Sequence, residues 1–457
     1  MDSPAKLERS LGLIEATSLN MTFMVGIGPF VVIPLVLQSM AGPQCLLAWV
    51  IGAGLALADG CVWAELGAAM PEAGGSYVFL REAYGPGRAG RLMAFLYIWQ
   101  TLFQGPLSVA SGALGFARYS SYLVSKSDRL AHLSGSLGAH SDNLIAGAVV
   151  VIAVILLYRR IAQVGKISIA LCAIVLGTIL WLIYGGVTHF HPSLVLTFPP
   201  GAWSLSWVFF AGLGHASVQS VYSYLGYYNV CNLGGEMKNP GRNIPRAIFI
   251  SIIAIAILYF AMQTSILGVV PWQEAAKTKA VVSLFVERVY GENWATAATI
   301  LILITAFGSI FSATLGYSRV PYAAALDGNF FRAFGRVHPT KHFPHVSLLA
   351  LGATAIFFCL GLSLGQVIRA ILAMRCLVQF VGQAAGLILL HRRWKDDRWP
   401  FRMWLYPAPV LIAIAGWLAI FISTGRMPIL ASLAVAMAGI LVYLLREKAM
   451  PRQQIGG

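Results

Sequence analysis

Long apolar runs recur along this chain up to its C-terminus, separated by polar segments that hold most of the charge. An α-helix needs about 20 apolar residues to cross a bilayer. The pattern predicts twelve helices, at 13–40, 44–70, 89–120, 142–158, 164–186, 203–235, 244–270, 292–325, 345–361, 366–391, 403–423 and 428–445. They are called helices one to twelve below. Several are long enough to tilt or protrude. The expected fold class is an all-α polytopic membrane protein. A cytoplasmic segment at 1–12 precedes the helices and a cytoplasmic tail at 446–457 follows them.

The charges orient this pattern. With the N-terminus inside, 23 of the 32 basic residues fall in cytoplasmic segments and 6 in outer ones. That asymmetry is the positive-inside pattern. It explains the net charge of +15 without a nucleic-acid partner. Composition agrees, at 58% hydrophobic and 11% charged, against about 25% charged in soluble domains. The first apolar run is too long for a signal-peptide core and lacks a small-residue cleavage site, so a retained spanning helix is expected. The predicted location is the plasma (inner) membrane, with both termini cytoplasmic. The six cysteines lie in apolar segments without a CxxC pair, which predicts free thiols and neither a metal site nor a disulfide framework.

Spacing suggests an internal repeat. Shifting helices one to five by about 198 residues lays them on helices six to ten, and lays the connector 71–90 on 269–288. Five is odd, so the second copy enters from the opposite side, as in an inverted five-plus-five repeat over 13–190 and 203–391, with 403–445 added as helices eleven and twelve. The shift also aligns two weak points. Gly26-Ile27-Gly28-Pro29 interrupts helix one, and its image falls in Val221–Asn229, VYSYLGYYN. Glycine costs roughly 1 kcal/mol and proline roughly 3 kcal/mol inside a helix. Breaks at matching positions of two inverted repeats point to a transport site near the membrane midplane. Bare N–H groups at Gly26–Gly28 suit a carboxylate. Freed carbonyls around Tyr224–Tyr227 suit an ammonium.

Four stretches carry a resemblance: GIGPFVVIP, then AELGAAMPEAGGSYVFLREAYGP (Ala64–Pro86), SYLGYYNVCNLGGEMKNPGRNIPRAI (Ser223–Ile248) and SRVPYAAALDGNFFRAFGRVHP (Ser318–Pro339). Together they resemble the amino acid–polyamine–organocation superfamily, and within it the L-type amino acid transporter and polyamine-uptake branches. The likeness runs from helix one to about Tyr406. It implies a LeuT-like fold with broken helices one and six, and alternating access. By position, Gly26, Ile27 and Gly28 match the family's carboxylate-binding glycine motif. Tyr222 falls at an aromatic gate, four residues before Gly226, and Ser223 and Tyr224 fall in the unwound segment. The chain departs from the family at Tyr227, where tryptophan is usual, and at Tyr228, where a small polar residue is usual. Some relatives join a single-span glycoprotein through a cysteine between helices three and four. Ser121–Ser141 has none, so no disulfide-linked partner is expected.

The remaining candidates each carry a bland alternative. Asp59, in mid helix two, is a proton carrier, an attractor of cationic substrate or a structural carboxylate paired with Arg375. Arg375 lies about nine residues inside helix ten and needs a partner; near the site it disfavours polyamines. Lys166 opens helix five, either as a proton-coupling lysine or as a flanking charge after Arg159 and Arg160. Ser309 and Ser312 in helix eight offer hydroxyls for a cation site, or bond their own helix. Gln100, Gln104, His215 and Gln219 are cavity candidates of the same ambiguous kind. Glu65 and Glu236 suit inner-gate ion pairs. Neither HExxH nor GxxxxGK[ST] occurs, so no enzyme, cofactor or ATP drive is expected. The reading is a secondary transporter of amino acids, by uptake coupled to H+ (or alternatively Na+) or by exchange. The alternatives are uptake of polyamines or other cations, and a non-transporting sensor or scaffold on the same fold.

Overall fold

The computed structural model describes residues 7–125, 141–278, 280–361 and 364–449. Lys126, Arg129 and Lys279, counted above among the outer charges, lie outside them, as do 1–6 of the N-terminal segment and 450–457 of the tail. Among the described residues the chain is mostly helical, with two isolated β-bridges, Leu11–Met237 and Ala73–Leu233. Apolar surroundings favour this outcome, because a helix satisfies its backbone groups internally.

Six described helices are long and apolar enough to cross a membrane: Pro43–Ala69, Ile161–Thr188, Pro240–Leu267, Glu292–Leu326, Gln366–Arg393 and Arg426–Glu447. A seventh results if Leu13–Val31 and Ile33–Met40, bent by 54°, form one span. Ser141–Leu157, His345–Leu360 and Ala408–Ser423 are apolar but shorter. The two other expected segments fall in neither group. Helix three, Arg88–Ser125, carries Gln100, Gln104, Pro106 and Arg118. Helix six is cut short at Tyr224.

Helix two packs along helix seven, helix three along helix eight, and helix four along helix nine. Small residues permit the close approach that dispersion requires in lipid. A Cβ on Gly60 would lie 2.6 Å from Ile252 Cδ1, and one on Gly112 would lie 2.8 Å from Ile310 Cγ1. The first connector aligned above contains a short helix, Ser76–Ala83, and a second, Val281–Tyr290, begins in the other connector and ends just beyond it.

The conspicuous sequence motifs meet in one layer. The Gly74 N–H donates to the Asn232 carbonyl at 3.1 Å, with Gly74 at φ +108°. Gly234 fits against the Pro71–Glu72 backbone, where a Cβ would lie 2.7 Å from the Glu72 carbonyl oxygen. The N-terminal segment joins them: Ser10 and Leu11 N–H groups both donate to the Glu236 carbonyl at 3.0 Å. The Glu236 side chain in turn accepts two bonds from Arg319, Nε to Oε2 at 3.0 Å and Nη2 to Oε1 at 2.9 Å, with both residues buried. Arg81 pairs with Glu72, Glu82 and Asp327 alongside. These backbone and ionic contacts hold the quoted motifs against one another.

Candidate functional site

Helix one stops at Met24 and resumes at Gly28. Helix six stops at Tyr224 and resumes at Asn229. The two interruptions touch. Gly226 has φ +126°, and a Cβ there would meet Met24 N and Phe23 Cγ at 3.0 Å, so only glycine fits. Freed backbone groups need partners, and two side chains supply some of them. Asn20 donates Nδ2–H to the Tyr227 carbonyl at 2.5 Å and accepts the Val230 N–H at 2.9 Å. Tyr259 Oη lies between the carbonyls of Met24, at 2.7 Å, and Ser223, at 3.2 Å. Sequence reasoning missed both residues. The available signal was a polar Asn six positions before the glycine pair in an apolar helix.

Other groups at the breaks remain bare. Among the described residues, the N–H groups of Ile27 and Gly28 and the carbonyls of Tyr224 and Leu225 have no hydrogen-bond partner. A small cavity of about 40 Å³ lies here. Gly26, Ile27 and Gly28 form one wall, and Tyr222, Ser223 and Leu225 another. Ser108 and Ser111 of helix three, Ser309 of helix eight and Arg375 of helix ten also line it, with Phe23, Met24, Gly112 and Ile371. Absent side chains make the room: a Cβ on Gly28 would lie 3.5 Å from Ser223 Oγ, and one on Gly26 would lie 2.8 Å from Ser309 Cβ. Tyr222 Oη donates to Ser111 Oγ at 3.0 Å, holding the ring across the space.

The structure thus gathers Gly26, Ile27, Gly28, Tyr222, Ser223, Ser309 and Arg375. It places the other candidates elsewhere. Tyr224 points away, its hydroxyl donating to the Trp49 carbonyl at 3.2 Å. Gly226 serves the contact between the breaks. Ser312 lies one turn from Ser309; its Oγ is buried without a partner, and its carbonyl accepts Asn229 Nδ2–H at 3.0 Å. Lys166 is exposed on helix five and does not line the cavity, because its position faces away from the helix's buried side. Gln100, Gln104, His215 and Gln219 do not line it either.

The expected pairing of Asp59 with Arg375 is replaced by other partners. Asp59 Oδ2 accepts Trp63 Nε1–H at 2.9 Å and Tyr227 Oη–H at 2.5 Å. Arg375 donates Nη1–H to Tyr228 Oη at 2.6 Å and Nη2–H to Ser108 Oγ at 2.5 Å, and its guanidinium lies 5.3 Å from the Tyr317 ring centre. The physical reason is that Tyr227 and Tyr228, whose rings touch, take one charge each. Helix ten changes to π-helix at Cys376–Gly382, directly after Arg375. Such bulges redirect side chains and occur often at functional sites. Neither the bulge nor the Ser108/Ser111 pair was anticipated. Two serines three apart beside Pro106 were the legible hint.

Comparison with known proteins fits this architecture. A family model described as amino acid permease matches residues 11–445. Cationic amino acid transporter 4 of Homo sapiens is 28% identical over 403 residues, which cover 84% of this chain and 60% of that protein. The chain thus spans under two thirds of that relative's length. The branched-chain amino acid permease BcaP of Bacillus subtilis (strain 168) is 24% identical, covering 97% of this chain and 94% of its own. The serine/threonine exchanger SteT of the same organism is 26% identical, covering 97% and 98%. A match across nearly the whole chain, on a helical scaffold with these interrupted segments, shows that the chain belongs to the amino acid permease family.

Proposed function

We propose that this chain is a secondary transporter of amino acids that works by alternating access. The observation that carries the reading is the small cavity between two interrupted helices, lined by Ile27 and Gly28, whose N–H groups are bare, and by Tyr222 and Ser223. An α-carboxylate takes the N–H groups, and an α-ammonium takes carbonyls freed in helix six. Tyr222 covers the ligand on one side. The Glu236–Arg319 layer closes the path on the other.

The reading includes twelve spans, the LeuT-like inverted repeat over 13–190 and 203–391, a plasma (inner) membrane location and cytoplasmic termini. The packing of helices two, three and four against their repeat-related counterparts supports it. So do the paired connector helices. It includes no cofactor, no enzymatic step and no disulfide-linked partner. The relatives' printed names differ in substrate, so they favour amino acids as a class and no single side chain.

Coupling to H+, or exchange, is the mode we favour, with Asp59 beside the helix-six break as the proton carrier. The buried, unpartnered hydroxyl of Ser312, close to Ser309, favours Na+ as a second reading. Uptake of labelled amino acids into proteoliposomes, under a pH gradient, a Na+ gradient, internal amino acid or none, separates these modes. Absence of uptake and of binding for every amino acid class would overturn the assignment.

A further inference from the structure

Arg375 carries a charge that the protein leaves unanswered. Its side chain is 1% exposed. Two of its nitrogens meet hydroxyls, and Nε is buried with no hydrogen-bond partner. Among the described residues three carboxylates are buried: Asp59, Glu65 and Glu236. Each is already engaged. Asp59 holds Trp63 and Tyr227. Glu65 accepts from His391 Nε2 at 2.8 Å and from the Met403 N–H at 3.2 Å. Glu236 holds Arg319. Among the described residues no buried acidic side chain remains for Arg375, yet a buried charge is retained only when it is paired.

Arg375 also lines the cavity, where no carboxylate does and no other charged side chain does among the described residues. Guanidinium is the group suited to gripping a carboxylate through parallel N–H donors. Its tie to Ser108 places it on the helix-three side, whereas Gly26–Gly28 form a separate wall across Tyr222 and Ser111. The cavity thus has two places for negative charge and none for a second positive one.

We infer that the missing partner of Arg375 is the substrate: the site takes an amino acid whose side chain bears its own carboxylate. This rests on the amino acid reading of the cavity and narrows it to acidic substrates. The α-carboxylate occupies the Ile27–Gly28 N–H groups and the side-chain carboxylate meets Arg375. A lysine- or arginine-like substrate would bring a second cation against a buried one.

Glutamate and glutamine differ by one charged group, so they are the probes. In proteoliposomes the wild type is expected to prefer glutamate to glutamine by at least roughly tenfold, and lysine is expected not to compete. Arg375→Gln is expected to lower that preference at least about tenfold, and Arg375→Lys is expected to keep part of it. Thermal stabilisation of the detergent-solubilised wild type by glutamate and not by glutamine reads the same preference without any variant. Robust glutamine or lysine uptake without competition from glutamate would overturn the inference and leave the transport reading standing. An unchanged preference in a folded Arg375→Gln protein would do the same. If no amino acid is bound or moved, the underlying reading itself is overturned.

Discussion

Tyr222 closes the space that Gly28 opens: a Cβ built on Gly28 would lie 3.2 Å from Cε1 of the tyrosine ring. The ring is held by its hydroxyl on Ser111, so it yields little to an added side chain. Gly28→Val therefore fills the site with branched carbon. Substrate affinity is expected to fall at least tenfold, or about 1.4 kcal/mol. The purified variant should still unfold cooperatively near the wild-type temperature. Equilibrium binding together with thermal unfolding checks both halves of this expectation.

The Glu236–Arg319 pair is buried and doubly hydrogen-bonded. Removing one member strands the other charge, which costs about 3–5 kcal/mol. Glu236→Gln is expected to lower thermal stability strongly. A double variant that also carries Arg319→Met should recover part of the loss, giving a coupling energy of at least about 1 kcal/mol. A double variant as unstable as the sum of its singles would mean the pair does not act as a unit.

Asp59 sits beside the second break with one oxygen, Oδ1, unpartnered. Asparagine can accept from Trp63 and Tyr227 as the carboxylate does, so Asp59→Asn should fold. As a permanent mimic of the protonated form, it is expected to flatten the pH profile of uptake. Persistence of the wild-type profile would remove Asp59 from the proton path.

Lys166 faces outward on helix five. Lys166→Ala is accordingly expected to leave uptake within about twofold of wild type at every pH, since exposed charges away from a site contribute little. A measured loss of coupling would return this lysine to the mechanism.

Much of the scaffold was legible because membrane burial writes long apolar runs, and because Gly and Pro inside such a run are costly. Gly26, Gly28 and Pro29 announced a break by that rule. The longer motifs were legible for another reason: they build the contacts of Gly74, Gly234 and the Glu236–Arg319 pair, which demand particular residues at fixed spacing. The cavity wall was harder to read. Ser108 and Ser111 look like any hydroxyls that bond their own helix, and indeed each donates to a carbonyl in its own preceding turn, that of Gln104 and that of Ser108. Their second role depends on helix ten approaching helix three. The partners of Arg375 were misjudged because depth along a helix ignores direction. Tyr227 and Tyr228 are adjacent in sequence, yet one meets Asp59 and the other Arg375.

The central claim concerns where the ligand sits, and a substrate-bound experimental structure addresses it most directly. The α-carboxylate should lie within about 3.2 Å of the Ile27 and Gly28 nitrogens, beneath Tyr222. Density for the transported amino acid anywhere outside the two interrupted segments, with those N–H groups untouched, would contradict the account.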